Sequence, residues 1–154
     1  MRIEPGQKIC LDTNILLDAT DEGRVFHSKA LGVFSLLPQS GVVLLLATQV
    51  IREYVVVATR PEKNNGLGLS VEDAANNVFE FRKQANLIPE SVSSCENLLE
   101  WSVRLQITGK KLHDLQILAT AWQAGAQILV TSHVADFPTG LGPQIVALAD
   151  LDLL

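Results

Sequence analysis

The stretch Ile9-Cys10-Leu11-Asp12-Thr13-Asn14 most constrains the fold. A short apolar run ends in an acid, Thr-Asn follows, and a new apolar run opens at Ile15. The pattern predicts a buried strand that delivers a carboxylate at its C-terminal tip, where a helix starts. Taken alone, Asp12 could be no more than the N-cap of that helix. Further acids at Glu53, Asp114 and Asp136 give it company, because each occupies a position from which it can return to the same strand tip.

The rest of the chain alternates. Val25 to Leu37 has apolar residues at helical spacing up to Pro38, and Ser40-Gly41 turns the chain into a second buried strand, Val42–Ala47. Thr48 is expected to cap a helix from Gln49 to about Thr59, stopped by Arg60-Pro61. Pro61–Gly68 is read as the one flexible loop, and Ser70 with Asp73 as a capping box opening a helix to about Gln84. A short strand at Asn86–Ile88 precedes a helix from Ser94 to about Thr108, with Leu98, Leu99, Trp101, Val103 and Leu105 apolar and Gly109 ending it. A helix over Leu112–Ala124 carries Asp114 and is closed by Gly125, and strands are expected at Gln127–Thr131 and Gln144–Leu148. Strands alternating with helices specify an α/β domain with a mainly parallel central sheet, whose ligand crevice lies at the C-terminal strand ends.

Composition narrows the class. The 154 residues suit a single domain, 1–154, and 47% hydrophobic against 19% charged residues describes a globular chain rather than a disordered one. No apolar run approaches membrane-spanning length and none resembles a secretory signal, so a cytoplasmic protein with no membrane partner is expected. Cys10 and Cys95 lack metal-ligand spacing and read as two free, buried thiols. A net charge of −5 argues against a broad nucleic-acid-binding face without excluding a nuclease, since acids that hold a metal contribute to that count.

If the first strand neighbours the 127–131 strand, Asp12 and Asp136 meet, and the two helix starts bring Glu53 and Asp114 over the same edge. Carboxylates so close repel unless a cation joins them, and hard oxygen ligands suit Mg²⁺ or Mn²⁺ rather than Zn²⁺. Thr13, Asn14 and Thr131 stand beside the strand tips and are candidates to orient the acids, with helix capping as the competing role. Ser132 reads better as a simple cap. His133 is either a substrate contact or an ordinary loop residue, and His27 carries no assignment. Arg60, Lys63, Lys110 and Lys111 flank the expected crevice but read first as solvated surface charges, and Trp101 reads as core.

At this point the chain resembles the PIN-domain ribonucleases, and most of all the VapC-type toxins of prokaryotic toxin–antitoxin pairs. The resemblance rests on LDTNILLDA (Leu11 to Ala19), QVIREYVVVATRP (Gln49 to Pro61), NGLGLS (Asn65 to Ser70), the WSVRL stretch, GKKLHDLQILATA (Gly109 to Ala121) and ILVTSHVADF (Ile128 to Phe137), in the family's order. It implies a three-layer α/β/α domain and a Mg²⁺- or Mn²⁺-dependent endoribonuclease with metal roles for Asp12, Glu53, Asp114 and Asp136. It also implies a homodimer, an RNA substrate and a neutralising antitoxin partner. The helical faces between Val25 and Leu37 and between Val71 and Phe81 are candidate interfaces, with packing on the sheet as the alternative. One departure stands out: His133 occupies a position where the family commonly has Asn. Two other functions fit part of the pattern. A PIN-like interaction module without activity would keep the fold. A haloacid-dehalogenase-like phosphatase also begins with Asp at a strand tip, but needs a second Asp where this chain has Asn14.

Overall fold

In the computed structural model, which describes residues 1–153, the sheet has five strands in the order β3-β2-β1-β4-β5. They are β1 (Lys8–Leu11), β2 (Val43–Ala47), β3 (Ala85–Ile88), β4 (Ile128–Thr131) and β5 (Gln144–Ala147). Every pairing is parallel, not merely most of them. That explains the sequence of β1, β2 and β4: strands covered on both faces have no solvated side and become continuous apolar runs.

Six α-helices connect the strands: α1 (Thr13–Thr20), α2 (His27–Leu36), α3 (Thr48–Thr59), α4 (Val71–Gln84), α5 (Val92–Leu105) and α6 (Lys111–Gln123). The crossovers β1–β2 and β2–β3 step one way along the sheet and carry α1 to α4. The crossover β3–β4 steps back over two strands and carries α5 and α6. Right-handed crossovers in opposite directions place their helices on opposite faces. The packing agrees, since α1 packs on α2 and α3, α3 on α4, and α5 on α6. The result is three layers, α/β/α. From β1 the chain departs toward β2, and from β4 toward β5. The tips of these two neighbours therefore form the switch point at which such sheets open a crevice.

Several local expectations need correction. Thr48 does not cap α3 but is its first residue, with Ala47 in the cap position and no side-chain cap. Helix α5 starts earlier than its apolar periodicity suggests, because Ser91 and Ser94 form a reciprocal capping box. It ends at Gln106 in the left-handed region, three residues before Gly109. Of its apolar residues Trp101 is buried, whereas Leu99, Val103 and Leu105 are exposed. Cys10 is buried, and burial, then the charge of Asp12, push its thiol to about 12; Cys95 is exposed. Both are free.

The loop after α3 is pinned rather than loose. Leu67, Gly68 and Leu69 N–H groups donate to the carbonyls of Val57, Arg60 and Ala58 (3.1, 2.9 and 2.9 Å) at the end of α3, where carbonyls run short of helical partners. Gly66 makes the fold-back possible, because a Cβ there would lie 1.9 Å from the Arg60 carbonyl oxygen.

Candidate active site

Asp12 follows β1 directly and caps α1, with its Oδ1 accepting from the Thr13 N–H at 2.7 Å. Its Oδ2 accepts from Asn14 Nδ2 and from Thr131 Oγ1 on the neighbouring strand, both at 2.7 Å. A buried carboxylate is thus clamped by donors from both strand tips. Burial raises its affinity for a proton, the bonds from Thr131, Thr13 and Asn14 oppose that, and the charge of Glu53 adds to it.

Glu53 lies in the second turn of α3. Thr13 Oγ1 donates to its Oε2 at 2.8 Å, and Gln49, one helical turn earlier, donates to its Oε1 at 2.7 Å. The same Gln49 nitrogen donates to the His113 carbonyl at 2.9 Å, tying α3 to the first turn of α6, where Asp114 sits. Burial first, then the charges of Asp12, Asp136 and Glu53, push the Asp114 carboxyl from its ordinary 3.8 to about 6, with His113 opposing. The charges of the other three sequence-selected acids thus reach Asp114, while Thr13 joins Asp12 to Glu53 directly. Asp136 ends a short 3₁₀ turn after β4, and is exposed. It reaches the group through Asp114 rather than by meeting Asp12.

Thr13, Asn14 and Thr131 contact the acids as anticipated. His133 is at the rim: its backbone N–H donates to Thr131 Oγ1 at 3.0 Å, and its ring Nδ1 lies 3.5 Å from Asn14 Nδ2 and 4.0 Å from Asp136 Oδ2. Ser132, read as a cap, does more. Its N–H donates to Asn14 Oδ1 at 2.9 Å and its hydroxyl to Asp18 Oδ2 at 2.7 Å. Asp18, also held by Arg24 at 3.1 Å, stands one turn beyond Asn14 and braces it from behind. Gln49 and Asp18 were overlooked in the sequence, although each is four residues from a selected residue on the same helical face. Arg60 caps the far end of α3, about 10 Å beyond Glu53 at 1.5 Å per residue, and Lys63 lies in the 3₁₀ turn Glu62–Asn64 that follows.

Among the described residues, no three His, Cys, Asp or Glu side chains stand at metal-ligating spacing. The donor chemistry nevertheless fits a hard divalent cation. The groups are carboxylate oxygens, neighbouring negative charge helps to raise the proton affinity of Asp12 and Asp114, and positive charge between them would relieve that. No helix among the described residues is long and apolar enough to cross a membrane.

Several solved structures share this fold. The VapBC2 structure from Rickettsia felis, bound to a DNA fragment from their promoter, matches at TM-score 0.69 and 19% identity over 92% of this chain and 98% of that one. VapBC-1 from nontypeable Haemophilus influenzae matches at 0.67 and 20%, covering 94% and 100%. Mycobacterium tuberculosis VapC20, a Sarcin-Ricin loop cleaving toxin, matches at 0.59 and 17%, covering 79% and 86%. At such identities the likeness is one of fold. No curated protein matches in sequence. The PIN domain family model, however, matches residues 8–135, which takes in the clamp around Asp12 and the strands β1 to β4. With that span matched and this geometry at its centre, the chain belongs to the PIN-domain family.

Proposed function

We propose that residues 1–154 act as one PIN nuclease domain, a Mg²⁺- or Mn²⁺-dependent endoribonuclease that serves as the toxin of a toxin–antitoxin pair in the cytoplasm. The observation that carries this reading is the clamp at the strand-switch crevice, where Thr13, Asn14 and Thr131 hold Asp12 and Thr13 and Gln49 hold Glu53 beside it. The complexes among the structural neighbours support an antitoxin partner, and the RNA-loop-cleaving neighbour supports an RNA substrate. Exposed apolar residues on α2, α4 and α5, among them Leu31, Phe79, Leu99 and Val103, support a homodimer.

In this mechanism Asp12, Glu53, Asp114 and Asp136 would hold the cation, which when bound would supply acidity to a water and positive charge beside the phosphoryl oxygens. The chain's own residues set the geometry. Thr13, Asn14 and Thr131 fix Asp12, and Thr13 and Gln49 fix Glu53. Asn14 cannot play the second acid of a haloacid-dehalogenase-like phosphatase, because its amide carries no transferable proton and is engaged at both ends, by Asp12 and by Ser132. The test is cleavage of structured RNA by purified protein. Cutting that needs Mg²⁺ or Mn²⁺ and stops with EDTA supports the reading. Binding without cutting in either metal points to an interaction module, and phosphate release from small esters to a phosphatase.

Gln49 gives a prediction that separates stability from function. It is buried, yet its Oε1 has no hydrogen-bond partner, a situation that costs about 1–3 kcal/mol. Gln49→Met removes the unpaired oxygen at similar length, so the melting temperature should hold or rise. Glu53 loses a charge-assisted donor, so Mn²⁺ affinity should fall about 10-fold, as for other partners that orient a metal ligand. Calorimetric titration with Mn²⁺ beside a thermal melt checks both halves.

The raised Asp114 also fixes a pH dependence. Between its ordinary 3.8 and about 6, the folded chain keeps a proton that the unfolded chain has lost. Stability conferred by Asp114 is therefore present below that window and declines as pH rises through it. Melts in EDTA from pH 4 to 7 should show wild-type stability falling relative to Asp114→Asn across this range. Millimolar Mn²⁺ should flatten the difference, because the cation favours the ionised carboxylate.

A further inference from the structure

Beside the carboxylates a cleft of about 350 Å³ opens between the end of α5, the start of α6 and the β4–β5 loop. Leu105, Ile107, Phe137 and Pro138 give it an apolar lining, and Lys111 and Asp136 line it as well. Asp136 therefore belongs both to this cleft and to the acidic group. Lys111 lies three residues before Asp114 in the first turn of α6, on the same helical face. Among the described residues it makes no ion pair.

The backbone invests in this arrangement. Gln106, between Leu105 and Ile107, has φ +54°, one of only two non-glycine residues in the left-handed region among those described. Such a conformation is disfavoured for a residue that carries a side chain. It lets the Ile107 N–H return to the Ser102 carbonyl at 3.0 Å, so the chain reverses with Leu105 and Ile107 both lining the cleft.

We propose that this cleft is a nucleotide subsite, resting on the nuclease reading above: it takes one unpaired RNA residue next to the cut, base against the apolar lining and phosphate beside Lys111. The cleft's size suits one small ligand, near the lower end of the usual ~300–1,000 Å³ range. An occupant must offer an anion to the exposed Lys111 and an apolar face to the lining. A nucleotide does both. An apolar peptide segment would cover Lys111 and leave its charge without a partner, a costly state.

The test sequences the ends produced from a random single-stranded RNA pool in Mn²⁺. Wild-type ends should show a base preference at one position beside the cut. Ile107→Glu should reduce the ratio between most and least preferred base about 10-fold at that position alone, the scale on which apolar pockets discriminate. Leu105→Ser, at a more exposed side chain, should shift the same ratio and guards against a folding defect at Ile107. Lys111→Met should raise KM for all sequences alike and lower the slope of log(kcat/KM) against log salt by about 0.7, the loss of one phosphate contact to a single strand. No wild-type cutting removes the nuclease reading and the subsite with it. Cutting without base preference, or a preference unchanged in Ile107→Glu and Leu105→Ser, removes the subsite alone.

Discussion

Asp12→Asn is expected to lower kcat/KM for RNA on the order of 10³-fold, the upper range for losing one preorganised charge-stabilising group, while leaving the fold intact. The carboxylate oxygens of Asp12 lie where both strand tips converge, so no neighbouring acid can take over without breaking the clamp made by Thr13, Asn14 and Thr131. Stability should change by less than about 1 kcal/mol, because two effects oppose. A buried ionised group that burial disfavours becomes neutral. Against that, the new amide nitrogen faces Asn14 Nδ2, donor against donor, and Asn14 cannot turn because its Oδ1 already accepts from Ser132. Single-turnover cleavage and a thermal melt decide the matter. Near-wild-type cutting that still requires the metal would take Asp12 out of the reaction.

The second large effect is on folding. Gly66→Ala should destabilise by about 3 kcal/mol or more, since the added methyl would stand 1.9 Å from the Arg60 carbonyl oxygen and 2.3 Å from its carbon. Backbone cannot swing aside there without breaking the bonds that Leu67, Gly68 and Leu69 make to the end of α3. For a chain of this size the melting temperature should drop by roughly 6–12 °C, with new proteolytic cutting in 61–68. A melting temperature within about 2 °C of wild type would show that the loop has another way to close.

How much of this was readable in advance differs from residue to residue, for physical reasons. Asp12 was legible because strand burial and helix capping leave short-range marks: an apolar run, an acid, then a helical pattern. Glu53, Asp114 and Asp136 were legible as a set, since each follows or starts an element whose place in a parallel sheet is restricted by handedness. Gln49 was not. Its meaning lies in a bond to the His113 carbonyl, 64 residues away, and side-chain bonds to distant backbone leave no periodicity. Pro61–Gly68 has the composition of a mobile loop, yet its N–H groups found partners at a helix end that composition does not reveal. Leu99 and Val103 look like core residues and face outward, because hydrophobic spacing identifies an apolar stripe without saying what covers it.

The order of the strands has a consequence for the protein's own synthesis. The central strand is the first made, but one of its neighbours emerges more than a hundred residues later, and Thr131 must cross 119 positions to grip Asp12. A nascent chain on the ribosome thus carries the acid long before the partner that fixes it. The acid is placed first and gripped last, so the crevice stays unfinished until nearly the whole chain has emerged.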